Sequence, residues 1–139
     1  LIALATFTCL AIALHDVDGP IHCKGGQKVR LQGIGATEMD GSCRQNQPCV
    51  AGDPRKQRRT MARIMGAKPA SEDTSINGQL WFARPVRLTC TATGKSHKRV
   101  TAWCQTAAGK DLSCEAIKAR VAVRWDKYDR GGNLRRCAG

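Results

Sequence analysis

The chain has 139 residues, 23 Lys+Arg against 11 Asp+Glu for a formal net charge of +12, 8 cysteines, and 4% aromatic residues. That length supports one domain around one hydrophobic core and excludes two, while the charge favours a polyanionic partner: nucleic acid, an anionic surface or an acidic protein. The even cysteine count, with no C-x-x-C pair and no spaced pair of histidines, excludes a structural zinc site and points to disulfides formed in an oxidising compartment.

Leu1–Ala5 reads as the end of an apolar signal region with a small-residue cleavage site, so residues 1–5 are expected to be a signal remnant and 6–139 a single domain. Thr6 to Ile12 mixes β-formers with an apolar run and predicts a buried strand. No stretch reaches transmembrane length, so no stable membrane association of the mature form is expected. His15-Asp16-Val17-Asp18-Gly19-Pro20 is a turn signal, Ile21-His22-Cys23 a short strand, and Gly25-Gly26 a second turn. In Lys28-Val29-Arg30-Leu31-Gln32 the alternation turns Val29 and Leu31 to a core and Arg30 to the opposite face. Three strands are thus expected before residue 35.

Residues 35–52 lack periodicity and read as a long functional or stapled loop, with Cys43 and Cys49 pinching it. Asp53-Pro54 opens a helix and Gly66 closes it; Met61, Ile64 and Met65 form its apolar stripe. Arg55, Arg59 and Arg63 share one polar face, either a phosphate-facing surface or a solvated one. Residues 68–77 read as a polar connector. Val86–Thr91 and Arg99–Cys104 alternate and predict an antiparallel pair across a basic loop that carries Lys95 and Lys98. Asp111 or Ser113 caps a last helix through about Val121, and Cys137 is expected to hold the Gly- and Arg-rich tail. Mainly β with α, this order suggests an OB-type five-stranded antiparallel barrel with two or so helices, disulfide-stabilised. His15, His22 and His97 lack metal-ligand spacing, and Trp81, Trp103 and Trp125 are read as packing residues.

Several of these segments together resemble the staphylococcal-nuclease (thermonuclease) family, in a divergent, cysteine-rich, secreted bacterial form. Asp16-Val17-Asp18-Gly19 is similar to the family's D-G-D segment, and Val29 to Glu38 to its V-R-L-x-G-I-D-A-P-E segment. Gly94 to Ala102 and Asp111-Leu112-Ser113-Cys114 resemble its G-R-x-x-A and D-L-N segments. The resemblance implies a secreted or periplasmic nuclease, a monomer acting on DNA or RNA. It puts Glu38 in the place of the general base, Arg30 and Arg99 in the places of the phosphate-clamping arginines, with Lys98 as the alternate to Arg99, and Asp18 in that of a Ca2+ ligand. Gly35 stands where the family's second metal-binding aspartate is expected, and Thr37 replaces its proline.

The chemistry asks for these residue types. Hydrolysis of a phosphodiester needs a carboxylate to activate water and cations to meet charge on the equatorial oxygens, and arginine's planar fork suits the second task. Asp18 alone makes a poor site for a hard divalent ion unless Asp16, Asp40, carbonyls, water or substrate phosphate complete it. A weak, substrate-assisted site and metal-free chemistry are both compatible with this set. The alternative reading is a catalytically impaired OB-fold nucleic-acid-binding protein that lost its metal site at Gly35. A third, a cationic surface-active protein, follows from charge alone.

Overall fold

A computed structural model describes residues 5–96 and 99–137. Its centre is a barrel of five strands, β1 (Thr6–Leu14), β2 (Ile21–Cys23), β3 (Lys28–Leu31), β6 (Leu80–Ser96) and β7 (Arg99–Gln105). They hydrogen-bond in the order β1-β2-β3-β7-β6, and β6 returns to β1 to close the ring. The OB-type barrel expected from the sequence is therefore present, with one qualification of its direction. Strand β3 runs parallel to β7, with Val29 opposite Val100 and Leu31 opposite Ala102, so the barrel is mixed. The long crossover between these strands makes a parallel pairing possible, and that crossover carries the helix α1 (Pro54–Met65).

Period-two alternation builds the interior. Val29 and Leu31 are buried while Lys28 is exposed, and Cys9, Ala11 and Ala13 point inward from β1. With few aromatic residues, the core is assembled from Ala, Leu, Ile, Val, Met and half-cystines. Strand β6 pairs with β1 in two stretches, Ala11 facing Val86 and Ala13 facing Trp81, so four residues of β6 bulge opposite a single residue of β1. Pro85, which has no N–H to give to a ladder, lies in that bulge.

The sequence reading differs from the structure in three elements. A fourth short strand, β4 (Ile34–Gly35), follows the expected three and pairs with β8 (Val123–Arg124). The connector over 68–77 contains β5 (Pro69–Glu72), an edge strand on β6 whose Pro-Ala-Ser-Glu sequence has no alternation to reveal it. The last helix, α2 (Leu112–Lys118), is shorter than expected, because the chain reverses through Arg120 at φ 61 before Val121 returns to the core.

The helix boundaries obey their signals. The Asp53 carboxylate accepts from the Arg55 amide, Pro54 occupies the first turn, and Gly66 closes α1 at φ 84. Asp111 caps α2 by accepting from the Cys114 amide at 2.9 Å. Four disulfides hold the assembly. Cys9–Cys23 ties β1 to β2, Cys90–Cys104 ties β6 to β7, Cys114–Cys137 ties α2 to the tail, and Cys43–Cys49 closes the expected loop. Among the described residues no helix is long and apolar enough to cross a membrane.

Candidate active site

The turn between β1 and β2 lies against β3, and the contact depends on a glycine. Gly19 has φ 115, and a Cβ there would sit 2.6 Å from the Val29 carbonyl oxygen. Its amide donates to Asp16 Oδ1 at 3.1 Å, and the Leu31 amide donates to the Asp18 carbonyl at 2.9 Å. The turn thereby carries Asp16 and Asp18, both buried, to the side of Arg30.

Asp18, Arg30, Glu38 and Arg99 line one polar pocket, together with His15, Asp16, Arg44 and Gln47. Four separate segments supply them: the β1–β2 turn, β3, the loop after β4 and the start of β7. The Arg30 guanidinium donates to Asp18 Oδ2 at 3.3 Å, and the Gln47 side-chain amide donates to the same oxygen at 3.3 Å. Glu38 Oε1 lies 3.5 Å from Arg44 Nε. Burial, and next the neighbouring Asp18 carboxylate, hold the Asp16 carboxyl well above the usual carboxylate range, and Glu38 adds in the same sense. The pocket thus offers guanidinium donors, a carboxylate with partial access to solvent, and a buried acidic pair that orients one of the arginines.

Arg44 and Gln47 were not singled out from the sequence. Their one signal is position, between Cys43 and Cys49 in a loop read as stapled and functional. That loop also decides the fate of position 35. A Cβ at Gly35 would collide with the Pro48 carbonyl oxygen and come within 3.2 Å of Gln47 Cγ, so no aspartate fits there while the loop is in place. Asp40 does not complete Asp18 either, because it is exposed and accepts from the Ser42 amide and hydroxyl. Among the described residues no group of three His, Cys, Asp or Glu side chains is placed to hold a metal ion. A calcium ion takes roughly six to eight oxygen ligands, and this donor set does not fit one.

The arginine row of α1 is not part of the pocket. Arg59 pairs with Glu72 at 2.7 Å, Arg55 donates to the Thr74 carbonyl at 2.7 Å, and Arg63 is exposed. Much of the row's hydrogen-bonding capacity is thus spent on the segment following α1. Lys95 is exposed on β6 away from the pocket lining, and Lys98 and His97 lie outside the described residues. On the other flank of Arg30, its guanidinium stands 5.8 Å from the Trp125 ring, which meets Tyr128 edge-on at 4.6 Å. Trp125, read as a packing residue, is instead half-exposed on a hollow that Arg30, Thr101 and Tyr128 also line.

Comparison with protein-family models and with curated proteins finds no match to this chain.

Proposed function

We propose that the protein is a secreted or periplasmic nuclease that hydrolyses DNA or RNA phosphodiester bonds, with Glu38 as general base and Arg30 and Arg99 stabilising the charged transition state. The convergence of Glu38 and Arg30 with Arg99, which lies far from them in the chain, on one pocket carries this reading. Four disulfides suit an oxidising compartment. The net charge of +12 favours attraction of a polyanion.

In this reading a phosphodiester enters between the arginines, Glu38 takes a proton from the attacking water as its oxygen bonds to phosphorus, and the opposite P–O ester bond breaks, the departing sugar oxygen taking a proton from solvent. Arg30, oriented by Asp18, and Arg99 donate to the equatorial oxygens as charge builds there. Trp125 and Tyr128 give an adjoining base a face on which to stack.

The test uses oxidised protein and labelled single-stranded DNA and RNA. Glu38→Gln should lower turnover by about 10²–10⁴-fold with little change in oligonucleotide affinity. Turnover that survives the substitution would sink the mechanism. One observation favours the second reading, a silent OB-type binder: the covered glycine at position 35. Tight binding by wild type without cleavage in any condition would establish it.

A further inference from the structure

The disulfide-closed loop covers Gly35, the position where the family resemblance expects a second metal-binding aspartate. Its hold is firm. The Thr37 hydroxyl donates to the Val50 carbonyl, the Gln57 side-chain amide donates to the Val50 and Ala51 carbonyls at 3.3 Å each, and the Gln47 backbone N–H donates to the Arg44 carbonyl at 2.9 Å. Cys43–Cys49 spans the same segment.

We infer that this pocket takes a phosphate group without a divalent cation, Arg44 adding its charge to that of Arg30 and Arg99 while the Gln47 amide holds the position a metal would fill. The inference rests on reading the pocket as a phosphodiester site. Gln47 is buried, and its side-chain N–H is directed at Asp18 Oδ2, the oxygen that Arg30 also meets, so two donors stand where a cation on that oxygen would have to sit. The Pro48 carbonyl closes position 35 to any carboxylate. Three guanidiniums, of Arg30, Arg44 and Arg99, line the pocket, Arg30 paired with Asp18 and Arg44 with Glu38, beside Asp16, whose carboxyl is held well above the usual range, so the pocket's own cations already offset its carboxylates.

Arg44 has the freedom its role requires. Its side chain is 60% exposed and meets Glu38 at only 3.5 Å, a partly solvated pairing that holds it weakly. An incoming phosphate draws the guanidinium onto its oxygens, where a bidentate geometry is available, and frees Glu38 for water. Binding of the anion and release of the base are then one event.

The experiment titrates oxidised wild-type protein with calcium, magnesium and inorganic phosphate by calorimetry, the phosphate arm repeated in chelator and in calcium. Wild type should show no saturable calcium or magnesium binding up to about 10 mM, beyond the roughly 10⁻⁴–10⁻³ M of weak extracellular calcium modules. Phosphate should bind equally with chelator and with calcium. Arg44→Gln should weaken phosphate by about 10-fold or more, the loss of one charged hydrogen-bonding partner. Gln47→Glu, which sets a fourth carboxylate in the pocket, directly beside Asp18, should acquire a calcium-dependent rise in Tm that wild type lacks.

Saturable calcium binding to wild type, phosphate affinity that rises with calcium, or an Arg44→Gln variant that binds phosphate normally would each overturn the inference. A Gln47→Glu variant blind to calcium would strip Gln47 of its role. Cleavage of oligonucleotide only with calcium would refute this inference and leave the nuclease reading intact. Metal-independent phosphate binding with no cleavage in any condition would do the reverse.

Discussion

Gly35→Ala isolates the steric closure of the site. The backbone at Gly35 does not lie in the left-handed region, so alanine meets no dihedral penalty there and its whole effect comes from contact. Removing glycine from the unfolded chain would by itself stabilise the fold by about 0.4–1 kcal/mol. Against this, the new methyl would overlap the Pro48 carbonyl oxygen and sit 3.1 Å from the Pro48 carbonyl carbon. Relief requires a backbone displacement of at least about 0.4 Å, since unstrained carbon contacts begin near 3.5 Å. Overpacking of this kind costs about 1–3 kcal/mol. The net destabilisation, up to roughly 2.6 kcal/mol, corresponds to a fall in Tm of up to about 10 °C for a chain of this size. Because Pro48 adjoins Gln47, phosphate affinity should fall with it. Gly94→Ala is the control: a Cβ there meets only the Thr101 hydroxyl, at 3.4 Å, and the variant should melt at or above the wild-type temperature. Thermal and urea melts, with phosphate calorimetry beside them, measure both effects. A Gly35→Ala protein as stable as wild type, binding phosphate equally, would refute the placement of the loop over β4.

Arg58→Met should be the most damaging substitution on α1, because the Arg58 side chain is fully buried and donates to the His15, Gly78 and Asp73 carbonyls and to Glu72 at 2.9–3.2 Å. Loss of one partner from such a buried cluster costs roughly 3–5 kcal/mol by urea denaturation, and a change below about 1 kcal/mol would contradict the reading. Stability should decline in acid. Burial raises the Glu72 and Asp129 carboxyls, but hydrogen bonds from Arg59 and Arg58 to the first, and from Arg124 and two backbone amides to the second, outweigh it and hold both below their ordinary values of 4.5 and 3.8. Depressed folded-state values mean that their stabilisation is full above those ordinary values and is lost as pH falls through the folded ones; Asp129→Asn should therefore flatten the acid limb of a Tm-against-pH curve, and an unchanged limb would count against it. Replacing Cys43 and Cys49 together with serine removes a short closed loop worth about 2 kcal/mol of chain entropy. It should weaken phosphate binding as Arg44 and Gln47 lose their frame, and a variant matching wild type in both Tm and phosphate affinity would show that the staple is idle.

Local chemistry made part of this legible. Asp53-Pro54 and Gly66 bound α1 because capping is decided by neighbours in sequence, and Val29 and Leu31 alternate into the core for the same reason. The Cys43–Cys49 bridge showed in loop composition, whereas Cys90–Cys104 depends on a strand register that places the two residues directly opposite. Arg30 and Glu38 share a short segment and could be read together. Arg99 reaches them only through the parallel pairing of β3 with β7, which leaves no local mark. Arg58 was hidden by its own charge. It lies on the stripe of Met61 and Met65, where a guanidinium is not expected unless distant carbonyls and a carboxylate receive it.

The scarcity of acidic residues supports the proposed site from an independent direction. Against 23 Lys+Arg the chain has 11 carboxylates, and eight of them have evident structural tasks. Asp53 and Asp111 cap the two α-helices. Asp40 and Asp73 close turns by accepting from Ser42 and Ser75. Glu72 receives Arg58 and Arg59, Glu115 meets Lys110 and Lys118, and Asp126 and Asp129 hold Arg124. The remaining three, Asp16, Asp18 and Glu38, converge on a single pocket. Of these, Asp16 fastens the Gly19 turn and Asp18 receives Arg30 and Gln47 on one oxygen. Glu38 is left with a quarter of its side chain open to solvent and a loosely held arginine as its one ion-pair partner among the described residues. A base that must reach water and then part from its counter-ion needs this environment; Glu115 is as loosely paired and nearly as open, but it stands outside the pocket that Arg30 and Arg99 line.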